Sequence, residues 1–412
     1  MSFSEGLAVA TFVVVYVFLV GDWFHRAWAA LLGAATLVAT GVIPWHRVAE
    51  AVDWNTLGLL GAMMILVGVV AETGLFDLIG AAVARWAGSS PRRLALAFAV
   101  AAAVVSMALD NVTTLLLLGP AVLRSAEAVG ADPVDLMMGT ALASNLGGLA
   151  TLIGDPPNIL IGTAAGLDFL AFLRYLGPLA AVLVVVLAGW LCLRFPAGRG
   201  APAAHPLPRV RHPLVLAVLA LTLAGFLLQG VTGWSASAVA LGGAALAVAV
   251  LRPPLRRVVR AVDWGTLAFF FGVFVMVGGL ETSGAVARMA QWLAATSSPA
   301  SVWLAVLVGS ALVSALLDNV PLVAALIPVV ADLSHQHVGY GIGLWMALAA
   351  GAAIGGNATV IGASANVVAQ GLVEEAGYRM DFVRFAAFGA PVAAMTAAVA
   401  AAYLYAVHFR AL

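Results

Sequence analysis

The sequence predicts an all-α polytopic membrane protein made of two inverted repeats. Each repeat has about five transmembrane helices, one of them broken, plus a re-entrant helical hairpin. Three observations predict this. First, 63% of the 412 residues are hydrophobic and 9% are charged, where soluble domains carry roughly 45–50% and about 25%. Mean hydropathy is +1.07. Second, apolar runs of membrane length recur along the chain. Third, four motifs repeat in order at nearly one offset. This composition excludes a water-soluble globule and a disordered chain. The 19 basic residues, all Arg, balance 19 acids, so there is no basic surface for nucleic acid. Cys192 stands alone, so no internal disulfide is available.

A bilayer core of about 30 Å takes roughly 20 apolar residues of helix. Runs lie at 7–20, 27–43, 55–71, 93–109, 112–123, 134–150, 176–193, 213–230, 235–251, 264–280, 301–317, 320–331, 342–355 and 384–407. The first has no basic n-region and no small-residue cleavage site after it, so it reads as a membrane helix and not a signal peptide. The pairs 93–109 with 112–123 and 301–317 with 320–331 are the two hairpins. Stretches at 158–166 and 366–373 follow Gly-rich polar breaks and read as half-helices.

The repeat is explicit. Asp53-Trp54-Asn55-Thr56-Leu57 recurs as Asp263-Trp264-Gly265-Thr266-Leu267, and Glu72-Thr73-Gly74 recurs loosely as Glu281-Thr282-Ser283-Gly284. Leu109-Asp110-Asn111-Val112 recurs as Leu317-Asp318-Asn319-Val320. Gly147-Gly148-Leu149-Ala150-Thr151-Leu152-Ile153-Gly154 matches Gly355-Gly356-Asn357-Ala358-Thr359-Val360-Ile361-Gly362, and Asn158 matches Asn366. The offsets are 210, 209, 208 and 208. The repeats are residues 1–194 and 214–412, joined by a cytoplasmic Pro- and Arg-containing linker over 195–213.

Five crossings and one hairpin per repeat divide the arginines fifteen to four between the two faces. The positive-inside rule makes the richer face, which receives Arg26, Arg194 and Arg384, cytoplasmic. Both termini then lie outside. An odd number of crossings inverts one repeat relative to the other.

Ionisable residues inside apolar segments are functional candidates, because each costs at least a few kcal/mol there. Asp53 and Asp263 start helices and read as caps. Asp110 and Asp318 have no polar loop around them. Each Asp-Asn pair is either an aqueous turn between two crossings or the tip of a buried re-entrant hairpin. The near-identity of the pairs, hemmed in by leucines, favours the second. Irregular backbone at that depth must be buried in protein or line a cavity. Asp155, in Gly154-Asp155-Pro156-Pro157-Asn158, sits where two prolines interrupt a helix. Freed carbonyls and half-helix ends at such breaks are ligands in repeat transporters. Thr151, Asn158, Thr359, Ser364 and Asn366 add side-chain ligands, with Gly154 and Gly362 at the turns. Thr113 follows the first tip. Asn145 and Asn357 occur in one repeat each and read equally as ligands or as helix–helix hydrogen bonds. No metal-ligand spacing, P-loop or nucleophile elbow appears, and the seven histidines lie at helix ends, in loops or in the linker.

The segments LDNVTTLLLLGP and LLDNVPLVAALIP, with NLGGLATLIGDPPNILIG and GGNATVIGASANVV, closely resemble the ion transporter superfamily. The branch is that of arsenite permeases, NhaD-type sodium/proton antiporters and the melanosomal P protein, with a citrate-transporter-like domain, and the P-protein pattern fits best. The resemblance covers nearly the whole chain. It implies a homodimer in the lipid bilayer, in a bacterial inner membrane, working by elevator-like alternating access on a small inorganic or organic ion. It implies Asp110, Asn111, Asp318 and Asn319 as hairpin-tip ligands, with sodium as a candidate cation there. It implies Thr151, Gly154, Asp155, Asn158, Thr359, Gly362, Ser364 and Asn366 as broken-helix ligands. Dicarboxylate transporters of the superfamily usually carry Ser-Asn-Thr at the tips, so Asp-Asn-Val here departs from them.

The expected function is therefore secondary transport coupled to protons or sodium, with no cofactor and no enzymatic step. Three acids with no Arg or Lys inside an apolar run point to proton or cation handling. The alternatives are a sodium-coupled carboxylate transporter and an uncoupled anion channel on the same fold. An intramembrane aspartyl protease is disfavoured because Leu152-Ile153-Gly154-Asp155 lacks the Gly-x-Gly-Asp signature.

Overall fold

The computed structural model describes residues 3–21, 25–198, 208, 210, 212–296, 299–336 and 341–409. Most of the linker core, with Arg199, Arg209 and Arg211, and the terminal Arg410 lie outside the described residues. Every described regular element is helical.

Nine principal helices form each repeat. In the first they are α1 (Phe3–Gly21), α2 (Arg26–Ala39), α3 (Trp54–Ala71), α4 (Leu75–Ala87), α5 (Pro91–Ala108), α6 (Asn111–Val129), α7 (Pro133–Gly148), α8 (Pro156–Ala165) and α9 (Phe169–Arg194). In the second they are α10 (Leu214–Leu227), α11 (Ala236–Leu251), α12 (Trp264–Ser283), α13 (Ala285–Thr296), α14 (Pro299–Ser314), α15 (Asn319–Gln336), α16 (Gly341–Gly356), α17 (Ser364–Glu375) and α18 (Phe382–Leu404). Six described helices are long and apolar enough to cross a membrane.

Two helices lie where no apolar run was expected, α4 and α13. Both are amphipathic, and α4 carries Asp77 and Arg85. Their mixed faces hide them from a hydropathy reading. Gly74, at φ 78°, starts α4, and Gly88, at φ 65°, ends it, a left-handed conformation that favours glycine.

The helices pack in a crossed pattern. α2 of the first repeat lies against α12 of the second, and α3 lies against α11. Together with α1 and α10 these form a scaffold. The hairpin arms and broken helices form a second block. There α5 and α6 pack on α7, α14 and α15 pack on α16, α15 meets α8, and α17 meets α6. Each hairpin thus touches the half-helix of the other repeat, a reciprocity that matches the inverted symmetry.

Helix lengths locate the hairpin tips. At 1.5 Å per residue α5 and α6 are each about 27 Å long and α7 is about 24 Å. α6 and α7 are joined by a short turn, so the tip returns to the level of the break at the end of α7. The tip therefore lies beside the break in the fold, where the Thr151 hydroxyl donates to the Met107 carbonyl.

The ion pairs join residues that share a predicted face. Arg194 reaches Asp135 at 2.9 Å, and Arg384 reaches Asp132 at 2.6 Å and Asp135 at 2.9 Å. Arg257 reaches Glu72 at 2.7 Å, and Arg288 reaches Glu5 at 3.0 Å.

Candidate transport site

Glycine opens the site. A Cβ on Gly147 would lie 2.2 Å from the Ala103 carbonyl oxygen, and one on Gly355 would lie 2.1 Å from that of Ala311. Each hairpin arm therefore touches the backbone of its broken helix, which no larger residue would permit. Ala103 and Ala311 are equivalent positions, as are the glycines.

The breaks are held by matched polar clamps. Asn158 Nδ2 donates to the carbonyls of Gly148 at 3.0 Å and Thr151 at 2.9 Å. Asn366 Nδ2 donates to those of Gly356 at 2.7 Å and Thr359 at 2.9 Å. The Thr151 hydroxyl donates to the Met107 carbonyl at 2.6 Å, and Thr359 does the same to Ala315 at 2.6 Å. Five of the candidate residues are thus bound up in shaping the backbone: Thr151, Asn158, Thr359, Asn366 and, through its close approach to Gly148, Gly154. Gly362 approaches Gly356 in the same way. All are buried. Satisfying carbonyls freed by an unwound helix is obligatory away from water.

A chain of amides joins the two repeats through the centre. Asn111 Nδ2 donates to Asn145 Oδ1 at 3.0 Å, and Asn145 Nδ2 donates to Asn357 Oδ1 at 2.8 Å and Asn366 Oδ1 at 3.0 Å. Asn357 Nδ2 in turn donates to the Leu142 carbonyl at 3.3 Å. Asn145 and Asn357, each present in one repeat only, thus bond to each other between the repeats.

The three acids sit differently. Asp155 is 2% exposed. It begins α8 without capping it, and its Oδ2 accepts from Asn319 Nδ2 of the other repeat at 3.1 Å. Asp110 and Asp318 act on it electrostatically. Asp110 and Asp318 are half-buried. Asp110 caps α6, accepting from the Thr113 N–H at 2.8 Å and the Thr113 hydroxyl at 2.5 Å. Asp318 accepts from the Val320 N–H at 3.0 Å and from the Ser364 hydroxyl. The hydroxyl partners come from different places. The position equivalent to Thr113 is Pro321, and the one equivalent to Ser364 is Pro156. Each repeat has proline where the other has its hydroxyl.

Two participants have no signal in the sequence. The Tyr16 hydroxyl of α1 donates to the Pro321 carbonyl beside the second tip. Arg26, from sequence only one of the cytoplasmic arginines, donates to Ser364 Oγ at 3.2 Å and to Thr266 Oγ1 at 2.8 Å. A guanidinium thus stands beside Ser364, the hydroxyl partner of Asp318. Arg26 precedes the apolar stretch of α2, so a hydropathy reading assigns it to water. Among the described residues no cluster of three or more His, Cys, Asp or Glu side chains could hold a metal ion. An apolar cleft lies beside the first tip, lined by Leu109 and Ile153 and by Met63, Phe76 and Phe226.

A citrate transporter family model matches residues 16–351 and 295–412. The chain belongs to the citrate transporter family. This family member is 38% identical over 423 residues to an uncharacterized transporter of Mycobacterium tuberculosis, with 98% of each chain covered. It is 30% identical over 504 residues to the P protein of Homo sapiens, covering 98% of this chain and 60% of that one. Its fold is similar to that of the YdaH transporter of Alcanivorax borkumensis, whose crystal structure is described as having an unusual topology. The TM-score is 0.66, the identity 17%, and the coverage 98% of each chain. This family member is an integral membrane transporter and not an enzyme, and the resemblance to the P-protein branch read from the motifs holds.

Proposed function

We propose that this chain is a secondary active transporter that moves a small ion by elevator-like alternating access, with protons or sodium as the coupling ion. The observation that carries this reading is the meeting of Asp155, from one broken helix, with Asn319, from the opposite hairpin tip, next to Asp318 in the chain and within the electrostatic influence of Asp110. Carboxylates, amide oxygens and helix breaks at one place are the parts from which repeat transporters build ion sites. Asp110 and Asp318 offer carboxylate oxygens that cannot hold a cation and a proton at once, which is the competitive occupancy that antiport requires. Asn111 and Asn319 offer amide oxygens beside them. The apolar cleft between the first tip and the scaffold supports relative movement, since its lining is apolar apart from Thr222. The working unit is a homodimer in a bacterial inner membrane, with both termini outside.

Uptake into proteoliposomes under separate proton and sodium gradients tests this, with arsenite, citrate and sodium itself as probes. Coupled transport drives one of these against its gradient. Conductance that never works against a gradient would replace the transporter by a channel. In Asp110→Asn and Asp318→Asn, an unchanged pH dependence of transport in both variants removes the proton-carrier role.

A further inference from the structure

Two polar contacts join the scaffold to the second hairpin tip among the described residues, the neutral bond from the Tyr16 hydroxyl to the Pro321 carbonyl and one charged line. Asp263 caps α12, and its Oδ2 lies 3.7 Å from Arg26 Nη2. Arg26 Nη2 also donates to the Thr266 hydroxyl at 2.8 Å, and Arg26 Nη1 donates to Ser364 Oγ at 3.2 Å. Ser364 in turn donates to Asp318. The guanidinium also lies 5.9 Å from the Phe269 ring centroid. A serine hydroxyl has one proton and two acceptor pairs. With Arg26 occupying its oxygen, the single Ser364 proton is directed to Asp318. The line therefore has a polarity, running from guanidinium to carboxylate.

The other repeat has no such line. Asp53 and Thr56 repeat the cap, with Asp53 Oδ1 accepting from the Thr56 N–H at 3.1 Å. The position equivalent to Arg26, however, is Ala236, the first residue of α11 at the offset of 210 that relates Asp53 to Asp263, and the one equivalent to Ser364 is Pro156. There, among the described residues, the hydrogen bonds between the scaffold and the half-helix join neutral groups. Asn55 Nδ2 donates to Thr163 Oγ1 at 3.3 Å, and the Thr56 and Thr163 hydroxyls lie 3.4 Å apart, near the end of α8 far from the break. A cap that served stability alone is present twice. The charged extension to the tip is present once.

We infer that Arg26 is a one-sided latch, a positioning residue that ties the acidic tip of the second hairpin to the scaffold through Ser364. This rests on the alternating-access reading above. In an inverted-repeat protein the two access states exchange the arrangements of the repeats. Contacts present in both repeats favour neither state, and a contact without a counterpart favours one. The Arg26–Ser364 bond must break for the second tip to leave the scaffold, whereas the first tip has no guanidinium to release.

Hydrogen–deuterium exchange on the full chain in lipid nanodiscs tests the latch without any cargo. Arg26→Gln is expected to raise exchange about tenfold over 316–322 and 363–368, the change carried by one hydrogen bond to a charged group. Exchange over 108–114, at the first tip, stays unchanged. Arg26→Lys keeps part of the protection. Thr266→Val, which removes one bond of the anchor while keeping the guanidinium, gives a smaller rise in the same segments and covers the case that Arg26→Gln fails to fold. In a Ser364→Ala background, Arg26→Gln adds nothing further, because the two residues act through one bond. Unchanged exchange at the second tip, equal rises at both tips, or a full additional rise in the Ser364→Ala background would each overturn the latch. Because no transport is read, failure here leaves the transporter reading standing, and absence of transport leaves the latch standing.

Discussion

Asn319 and Asp155 are 164 residues apart in sequence, and the amide of the first donates to the carboxylate of the second at 3.1 Å in the buried centre of the protein. One belongs to the second hairpin tip, the other to the first broken helix. The bond closes the two repeats on each other and places an acid where both tips can reach it. Asp155 has no equivalent acid, since Ala363 occupies its position in the other repeat. The site is thus asymmetric although the fold is nearly symmetric.

Removing the donor of that pair leaves a buried carboxylate without its partner, at a cost of about 1–3 kcal/mol or more. Asn319→Ala is expected to lower the unfolding midpoint in detergent by several degrees. Asp155→Asn, which keeps the shape, is expected to leave the midpoint within a degree or two of wild type while reducing transport at least tenfold. A large loss of transport in Asn319→Ala with no thermal effect would contradict this ranking.

Gly147→Ala and Gly355→Ala each put a methyl group about 2 Å from a backbone carbonyl of the facing hairpin arm. Backbone cannot move aside as a side-chain tip can, so each is expected to cost about 1–3 kcal/mol or more. Gly189→Ala, in α9 with nothing within 4 Å of its Cβ, is expected to be neutral or slightly stabilising. Thermal unfolding of the three variants compares them directly.

Asn145 holds both repeats by three side-chain bonds. Asn145→Leu removes them together and leaves Asn111 and Asn357 short of partners. The loss is expected to exceed that of either Asn111→Ala or Asn357→Ala, because a partly satisfied buried network is worse than an apolar contact. A double-mutant cycle of Asn145→Leu with Asn357→Ala reads the coupling, and simple additivity would deny the network.

Burial pushes the Asp263 carboxyl up, but the Thr266 hydroxyl and N–H and the Arg26 guanidinium outweigh it and hold the group below the ordinary carboxylate value. A carboxyl depressed on folding adds stability above its unfolded value of about 3.9 and loses it as pH falls through the lower folded one. The stability difference between wild type and Asp263→Asn is therefore expected to be full at pH 7 and to shrink below about pH 4. Because Asp263 is more than half exposed, solvent screening keeps the difference small. A difference that grows on acidification would reverse the sign of this linkage.

Much of the architecture follows from local information. Apolar runs mark the spans because a bilayer demands them, and the break after Gly148 is visible because Asp155-Pro156-Pro157 cannot continue a helix. The caps at Asp53 and Asp263 are visible because a carboxylate before a helix has a standard use. α4 and α13 escape because an amphipathic helix carries too many polar residues for a hydropathy reading. Arg26 escapes for another reason: its partners Thr266 and Ser364 lie 240 and 338 residues away.

The sequence by itself determined that the chain is a two-fold repeated membrane protein, which acids are out of place in lipid, and where the backbone must unwind. Those properties depend on the cost of moving groups from water to hydrocarbon and on local backbone sterics, both of which act residue by residue. Only the tertiary structure decided that Asn145 and Asn357 bond to each other, that Asp155 belongs with Asn319, and that an arginine from the opposite repeat reaches Ser364. Hydrogen bonds of this kind depend on distances of about 3 Å between groups hundreds of residues apart, and such distances exist only once the two repeats have packed across their common axis.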